Sequence, residues 1–232
     1  MFATKTARMA CMLFALSAFA GGAQAATYTF DTLTNLGNWS ATQANADGNT
    51  NYAVGNSAGT LWRNFFTFDL ASLNLSNQQI VSATLQLRKW WYTGSDPSET
   101  VDFYDVSTLP EVLNFNQGSS AAIYNDLGSG TPYGSVGVPR LGSIGENSTG
   151  DTINVSLNSA ALANIGAAVG GYFSIGGTCP SCTTGQTVFS GSSATGIQQL
   201  VVQTAPIPEP STYAMLGIGL AALAFLRRRK QV

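Results

Sequence analysis

The stretch NFFTFDLASLNLSNQQIVSATLQLRKWWYTGSDPSETVDFYDV, residues 64–106, decides the fold, because apolar and polar side chains alternate through three successive runs. Alternation is the signature of a strand with one buried face. In the first run Phe66, Phe68 and Leu70 share a face, with Phe65, Thr67 and Asp69 opposite. The second sets Val81, Ala83, Leu85 and Leu87 inward against Ser82, Thr84, Gln86 and Arg88. In the third, Val101 and Phe103 oppose Asp102 and Tyr104. Further strands are expected at 28–30, 152–157, 172–175, 187–189 and 200–203, separated by Gly/Ser/Asn clusters that mark turns. One short helix is predicted over 160–168, with Asn158 or Ser159 as N-cap and Gly170-Gly171 as its stop. About eight strands, each with one polar face, are what two sheets packed face to face require. The expected fold is all-β, a two-sheet antiparallel β-sandwich of jelly-roll type.

The ends of the chain read as processing segments. Lys5 and Arg8, an apolar run over 11–20 and the small-residue site at Ala23 and Ala25 form a secretory signal with cleavage before Ala26. This segment calls for the Sec translocon and signal peptidase as partners. At the other end, Pro206, Pro208 and Pro210 exclude a helix, and an apolar stretch runs from Ser211 to Leu226 before Arg227, Arg228, Arg229 and Lys230. A helix from Tyr213 to Leu226 would be about 21 Å long, short of the ~30 Å hydrocarbon core. The expected organisation is a signal helix at 1–25, a sandwich domain at 26–204 and a tail at 205–232 with a short transmembrane helix. The basic cluster would keep the C-terminus cytoplasmic.

Between Ala26 and Ile207 four basic residues, Arg63, Arg88, Lys89 and Arg140, face eleven acidic ones, a net charge of −7. Such a domain repels phosphate backbones, so nucleic acid is excluded as a partner and neutral glycans or cations fit better. The sequence contains no histidine, which removes Ser-His-Asp and Cys-His catalysis and histidine-ligated zinc. Cys179 and Cys182 are the two cysteines left after the signal, and in an exported chain they read as a disulfide pinning a loop.

Three constellations could carry function. Continuing the strand alternation puts Trp91 on the apolar side and Trp90 with Tyr92 on the opposite face, where two aromatic rings would offer sugars a stacking platform; cover by a loop or neighbouring strand is the structural alternative. Asp47, Asn49 and Asn51 have the alternate spacing of an oxygen-rich Ca²⁺ loop, although Tyr52 and Ala58 stand where an EF-hand wants glycine and glutamate. Solvated turn residues are the alternative there, so no cofactor is expected beyond a possible structural Ca²⁺. Glycoside cleavage needs two convergent carboxylates. The pairs Asp96/Glu99 and Asp102/Asp105 show no such convergence, and no catalytic residues are expected. Arg63 and Asp69 read as partners in a structural ion pair or turn contact.

Two resemblances add to this. Asn51-Tyr52, Arg63, Phe68-Asp69-Leu70, Ala83-Thr84-Leu85 and the run 101–106 resemble the jelly-roll modules called DNRLRE-type domains, which implies an extracellular carbohydrate-associated module. Pro208, Glu209 and Pro210, followed by a glycine-rich apolar helix and Arg227 to Lys230, closely resemble the PEP-CTERM sorting tail. That resemblance implies recognition by an exosortase, cleavage near the Pro-Glu-Pro motif, transient insertion in the inner membrane, and delivery to the cell surface or extracellular matrix. A permanent short anchor is the alternative. The expected function is that of a non-enzymatic surface or matrix protein associating with extracellular polysaccharide. A scaffold without a sugar site and a small carboxylate enzyme are its rivals.

Overall fold

The computed structural model describes residues 24–32, 36–45, 49–114, 120–142, 151–189, 198–208 and 217–221. The compact unit from Ala25 to Ala205 carries the fold. Its strands are β1 (Ala26–Asp31), β2 (Leu36–Ser40), β3 (Val54–Ser57), β4 (Thr60–Asp69), β5 (Gln78–Arg88), β6 (Tyr92–Thr93), β7 (Ser98–Asp105), β8 (Pro132–Pro139), β9 (Thr152–Ser156), β10 (Tyr172–Thr178), β11 (Gln186–Val188) and β12 (Gln198–Pro206). Among the described residues of this unit three helices accompany them: α1 (Pro110–Asn114), α2 (Ser120–Asp126) and α3 (Ser159–Ala167).

One sheet has the order β1-β12-β5-β9, and the other runs β6-β11-β3-β4-β10-β7-β8 with β2 also paired to β4. The main core lies between them. Phe30, Leu85, Leu87, Val155, Leu200 and Val202 from the first sheet pack with Phe66, Phe68, Val101, Phe103, Phe173 and Ile175 from the second. All-β, sandwich-like architecture therefore follows from the alternation that β5, β7 and β9 display. Val81 shares the parity of Ala83, which sets it inward by alternation, but it lies near the start of β5 and is 49% exposed.

The alternation fails in β4 for a physical reason. Phe65 and Thr67, expected on a polar face, are buried along with Phe66 and Phe68. Residues 64–66 have partners on both β2 and β10, so β4 is interior to its sheet, and that sheet is covered on both faces. Its outer face carries a second core of Trp39, Phe65, Leu113, Ile123 and Leu127, roofed by α1 and α2. The approach of that roof depends on glycine: a Cβ on Gly176 would lie 2.5 Å from the Leu127 carbonyl oxygen. Trp39 ties the roof down by donating Nε1–H to the Leu113 carbonyl at 3.2 Å.

The predicted helix forms as α3, one residue earlier than expected. Asn158 is its N-cap, accepting from the Ala161 N–H at 3.1 Å, and Gly170 lies beyond the end at φ +79°. Of the processing segments, 1–23 lie outside the described residues, and in the tail 217–221 form a helical turn. No helix among the described residues is long and apolar enough to cross a membrane. Residues 1–23 of the expected signal segment and, apart from 217–221, the expected transmembrane helix lie outside the described residues.

Candidate functional site

The aromatic rim is arranged differently from the sequence expectation. β5 ends at Arg88, and residues 89–91 form no strand before the chain pairs again as β6. Lys89 keeps the inward parity of Leu85 and Leu87, and the break then resets it so that Tyr92 turns inward in place of Trp91. Tyr92 is 8% exposed, Trp90 is half-buried and Trp91 is 41% exposed. The platform expected from Trp90 with Tyr92 is therefore not presented, and Trp91 is the ring that faces solvent.

Tyr92 is drawn in by polar partners. Its hydroxyl donates to the Asp96 carbonyl at 3.0 Å and lies 3.4 Å from Glu99 Oε1. Burial, reinforced by Glu99 and Asp96, pushes the phenol up to about 12. Glu99 is 2% exposed and accepts from Ser181 Oγ at 2.5 Å, while Ser181 Oγ accepts the Thr100 N–H at 2.8 Å. Ser181 sits inside the loop that the Cys179–Cys182 disulfide closes, with Cα atoms 5.4 Å apart. The bridge thus holds the hydroxyl that satisfies a buried carboxylate. Glu99, Cys179 and Cys182 lie within 4.8 Å of one another, but joined sulfurs are not thiolate ligands, and the trio offers a metal one carboxylate. Gln186 closes the network, donating to Asp96 Oδ2 at 2.8 Å and accepting from the Thr183 N–H and hydroxyl.

Lys89 was not singled out by the sequence, and it is fully buried. Its ammonium donates to the carbonyls of Pro139 and Leu141 and lies 3.7 Å from Asp151 Oδ2. Burial pushes its pKa down, opposed by Asp151. It clamps the end of β5 to the end of β8.

Of the residues read as a Ca²⁺ loop, Asn49 and Asn51 belong to an asparagine network, and Asp47 lies outside the described residues. Asn49 Oδ1 accepts the Asn51 N–H at 2.9 Å, and Asn51 Oδ1 accepts the Ala53 N–H at 3.0 Å. The Asn49 amide donates to Asn38 Oδ1 and Asn45 Oδ1. These are turn-forming roles. Three further carboxylates are also occupied: Asp105 accepts from Tyr133 at 2.7 Å, Asp69 from the Ala71 N–H at 2.9 Å, and Asp126 from Ser107 and Thr108. Burial raises the Asp126 carboxyl, but the bonds from Thr108 and Ser107 outweigh it and hold the group below its ordinary value. Arg63 forms no pair with Asp69; it donates to the carbonyls of Tyr124 and Asn125 and stacks on the Tyr124 ring at 4.2 Å.

Of the signal-cleavage residues, Ala26 opens β1 and Ala25 precedes it, while Ala23 lies outside the described residues. In the tail, Pro208 is described and exposed; Glu209, Pro210, Arg227, Arg228, Arg229 and Lys230 lie outside the description.

Fold and tail together define a class: an all-β, sandwich-like domain with a disulfide, running directly into a C-terminal sorting signal. Residues 206–230 match the PEP-CTERM protein-sorting motif. The chain accordingly carries the signal of an exported protein sorted to the cell surface, with an exosortase as its processing partner. No curated protein matches the chain. Among solved structures, a cleaved adhesin domain of Lys-gingipain from Porphyromonas gingivalis is similar at 12% identity, over 76% of this chain and 97% of that one, with a TM-score of 0.28. At that score the likeness carries no argument.

Proposed function

We propose that this exosortase-sorted protein is non-enzymatic and that its sandwich domain associates with extracellular polysaccharide at the cell surface or in the matrix. The sorting motif at 206–230 carries the reading. The acidic domain supports a neutral glycan over an anionic one. A binding role, in preference to a cleaving one, is supported by the engagement of Asp69, Glu99, Asp105 and Asp126 with structural partners. No cofactor belongs to the proposal, since the Asn49 and Asn51 oxygens already serve backbone N–H groups. Burial of Tyr92 favours a second reading, a matrix scaffold with no sugar site.

Sorting is tested by mass spectrometry of the C-terminus of protein from cell surface and medium, with and without an exosortase. A chain truncated near Pro208 only when the exosortase is present is the expected result. An intact Arg227–Lys230 end in both strains refutes processing. Retention of the exported protein on immobilised neutral polysaccharides separates the binding reading from the scaffold.

A further inference from the structure

We infer that a shallow open groove between the β3–β4 hairpin and α2 is the subsite at which one strand of an uncharged polysaccharide lies against the domain. The inference rests on the proposed polysaccharide association and moves the contact away from the strand end at Trp90–Tyr92. The groove has a volume of about 270 Å³ and is lined by Ser40, Ala41, Thr42, Gly59, Thr60, Leu61 and Tyr124.

Each wall is held in place before any ligand arrives. The hairpin turns through Ala58 and Gly59, both at positive φ (50° and 90°), as a two-residue connection of the primed type demands. Asn56 Oδ1 fixes that turn by accepting the Gly59 N–H at 3.0 Å. Opposite it, Ser40 Oγ accepts from the N–H groups of Thr42 and Gln43, at 3.3 and 3.0 Å, and shapes the turn after β2. Tyr124 is set by Arg63, whose guanidinium stacks on its ring and donates to its carbonyl at 2.7 Å. Preorganised walls spare a ligand the ordering cost of binding.

The chemistry of the lining selects the ligand class. The Tyr124 ring and Leu61, 50% exposed, supply apolar surface for the C–H faces of a pyranose. The hydroxyls of Thr42, Thr60 and Tyr124 have no hydrogen-bond partner among the described residues, and hydroxyls both donate and accept, as sugar hydroxyls do. No lining residue is ionisable at neutral pH. The lining itself therefore offers no charge to pair with a uronate or a sulfate, and it holds none of the carboxylates that glycosidic cleavage needs. The nearby Arg63 guanidinium is engaged by the Tyr124 ring and by the Tyr124 and Asn125 carbonyls.

Affinity electrophoresis of the exported protein through gels containing a linear neutral glucan, a mannan or alginate tests the inference. The wild type is expected to be retarded by a neutral polymer and not by alginate. Tyr124→Ala and Leu61→Ala should each weaken binding about tenfold, and Thr60→Val, which keeps the shape, should weaken it less. Trp91→Ala should stay within about twofold of wild type. Thermal melts of all variants separate lost binding from lost fold, and Leu61→Ala, at an exposed position, keeps the test valid if Tyr124→Ala unfolds. Wild-type retention with both Leu61→Ala and Thr60→Val unchanged overturns the groove and leaves polysaccharide association standing. Loss of binding in Trp91→Ala alone does the same. Retardation by alginate alone also overturns it. If no polymer retards the wild type, the association itself falls, and the subsite with it.

Discussion

Truncating Phe65 to alanine separates what strand alternation expects from what the packed domain contains. Alternation sets Phe65 beside Thr67 and Asp69 on a solvent face, where the change would cost within about 0.5 kcal/mol. In the structure the ring is fully buried among Trp39, Leu113, Ile123 and Leu127. Buried Phe→Ala changes cost about 3–5 kcal/mol, depending on how far the site collapses. Collapse is obstructed here. The residues paired with Phe65 on either side are Gly37 and Gly176, which have no side chain to move into the void. The β4 backbone is held from both flanks. The cost should fall at the upper end, about 4–5 kcal/mol, which is a large share of the 5–15 kcal/mol typical of a domain. Urea unfolding followed by far-UV circular dichroism measures it, with an expected fall in midpoint of about 2 M. A fall below about 0.3 M would refute the claim that the outer face of this sheet carries a second core.

Four further outcomes are expected. Gly176→Ala should destabilise the same roof, because its Cβ would meet the Leu127 carbonyl at 2.5 Å; faster hydrogen exchange in α2 than in β5 reports it. Asp126 has a depressed pKa, so its clamp on Ser107 and Thr108 stabilises fully above the ordinary carboxylate range and fades as pH falls through the depressed value. In Asp126→Asn, acid melts should lose that part of their pH dependence. Tyr92 has the opposite sign: its raised pKa stabilises below the ordinary phenol value near 10 and is lost as pH rises through about 12, so Tyr92→Phe should flatten alkaline melts. Reduction of Cys179–Cys182 opens a very short loop, for which chain entropy gives at most about 2 kcal/mol. A loss of unfolding free energy beyond that in dithiothreitol, with the excess matched by Ser181→Ala, would trace the excess to the Glu99 hydrogen bond.

The strands whose two faces differ were legible. β5, β7 and β9 alternate, and α3 announces itself through Asn158 and the Gly170-Gly171 stop. What failed were places where a neighbour distant in sequence sets burial. Phe65 is covered by α1 and α2, helices too short for periodicity to reveal. β2 and β8 carry glycine or proline and lack a β-branched alternating run, so pairing with β4 and β7 defines them. Tyr92 departs from the alternation because a break of three residues after Arg88 resets parity. The groove joins residues 40–42, 59–61 and 124, which no local pattern connects. The tail was readable because its signal is linear, with motif, apolar run and basic stop in order.

β1 and β12 are hydrogen-bonded neighbours, with Ala26 opposite Thr204. The first strand after the expected signal site thus pairs with the last strand before the sorting motif. In any export route that threads an extended chain, the sheet of four strands lacks a member until residue 204 has emerged, so the domain cannot complete that sheet before its last strand is delivered. The order β1-β12-β5 makes that late strand an interior one. β12 ends at Pro206, the residue at which the sorting motif begins, so the strand that completes the sheet and the signal that follows it are contiguous in the chain.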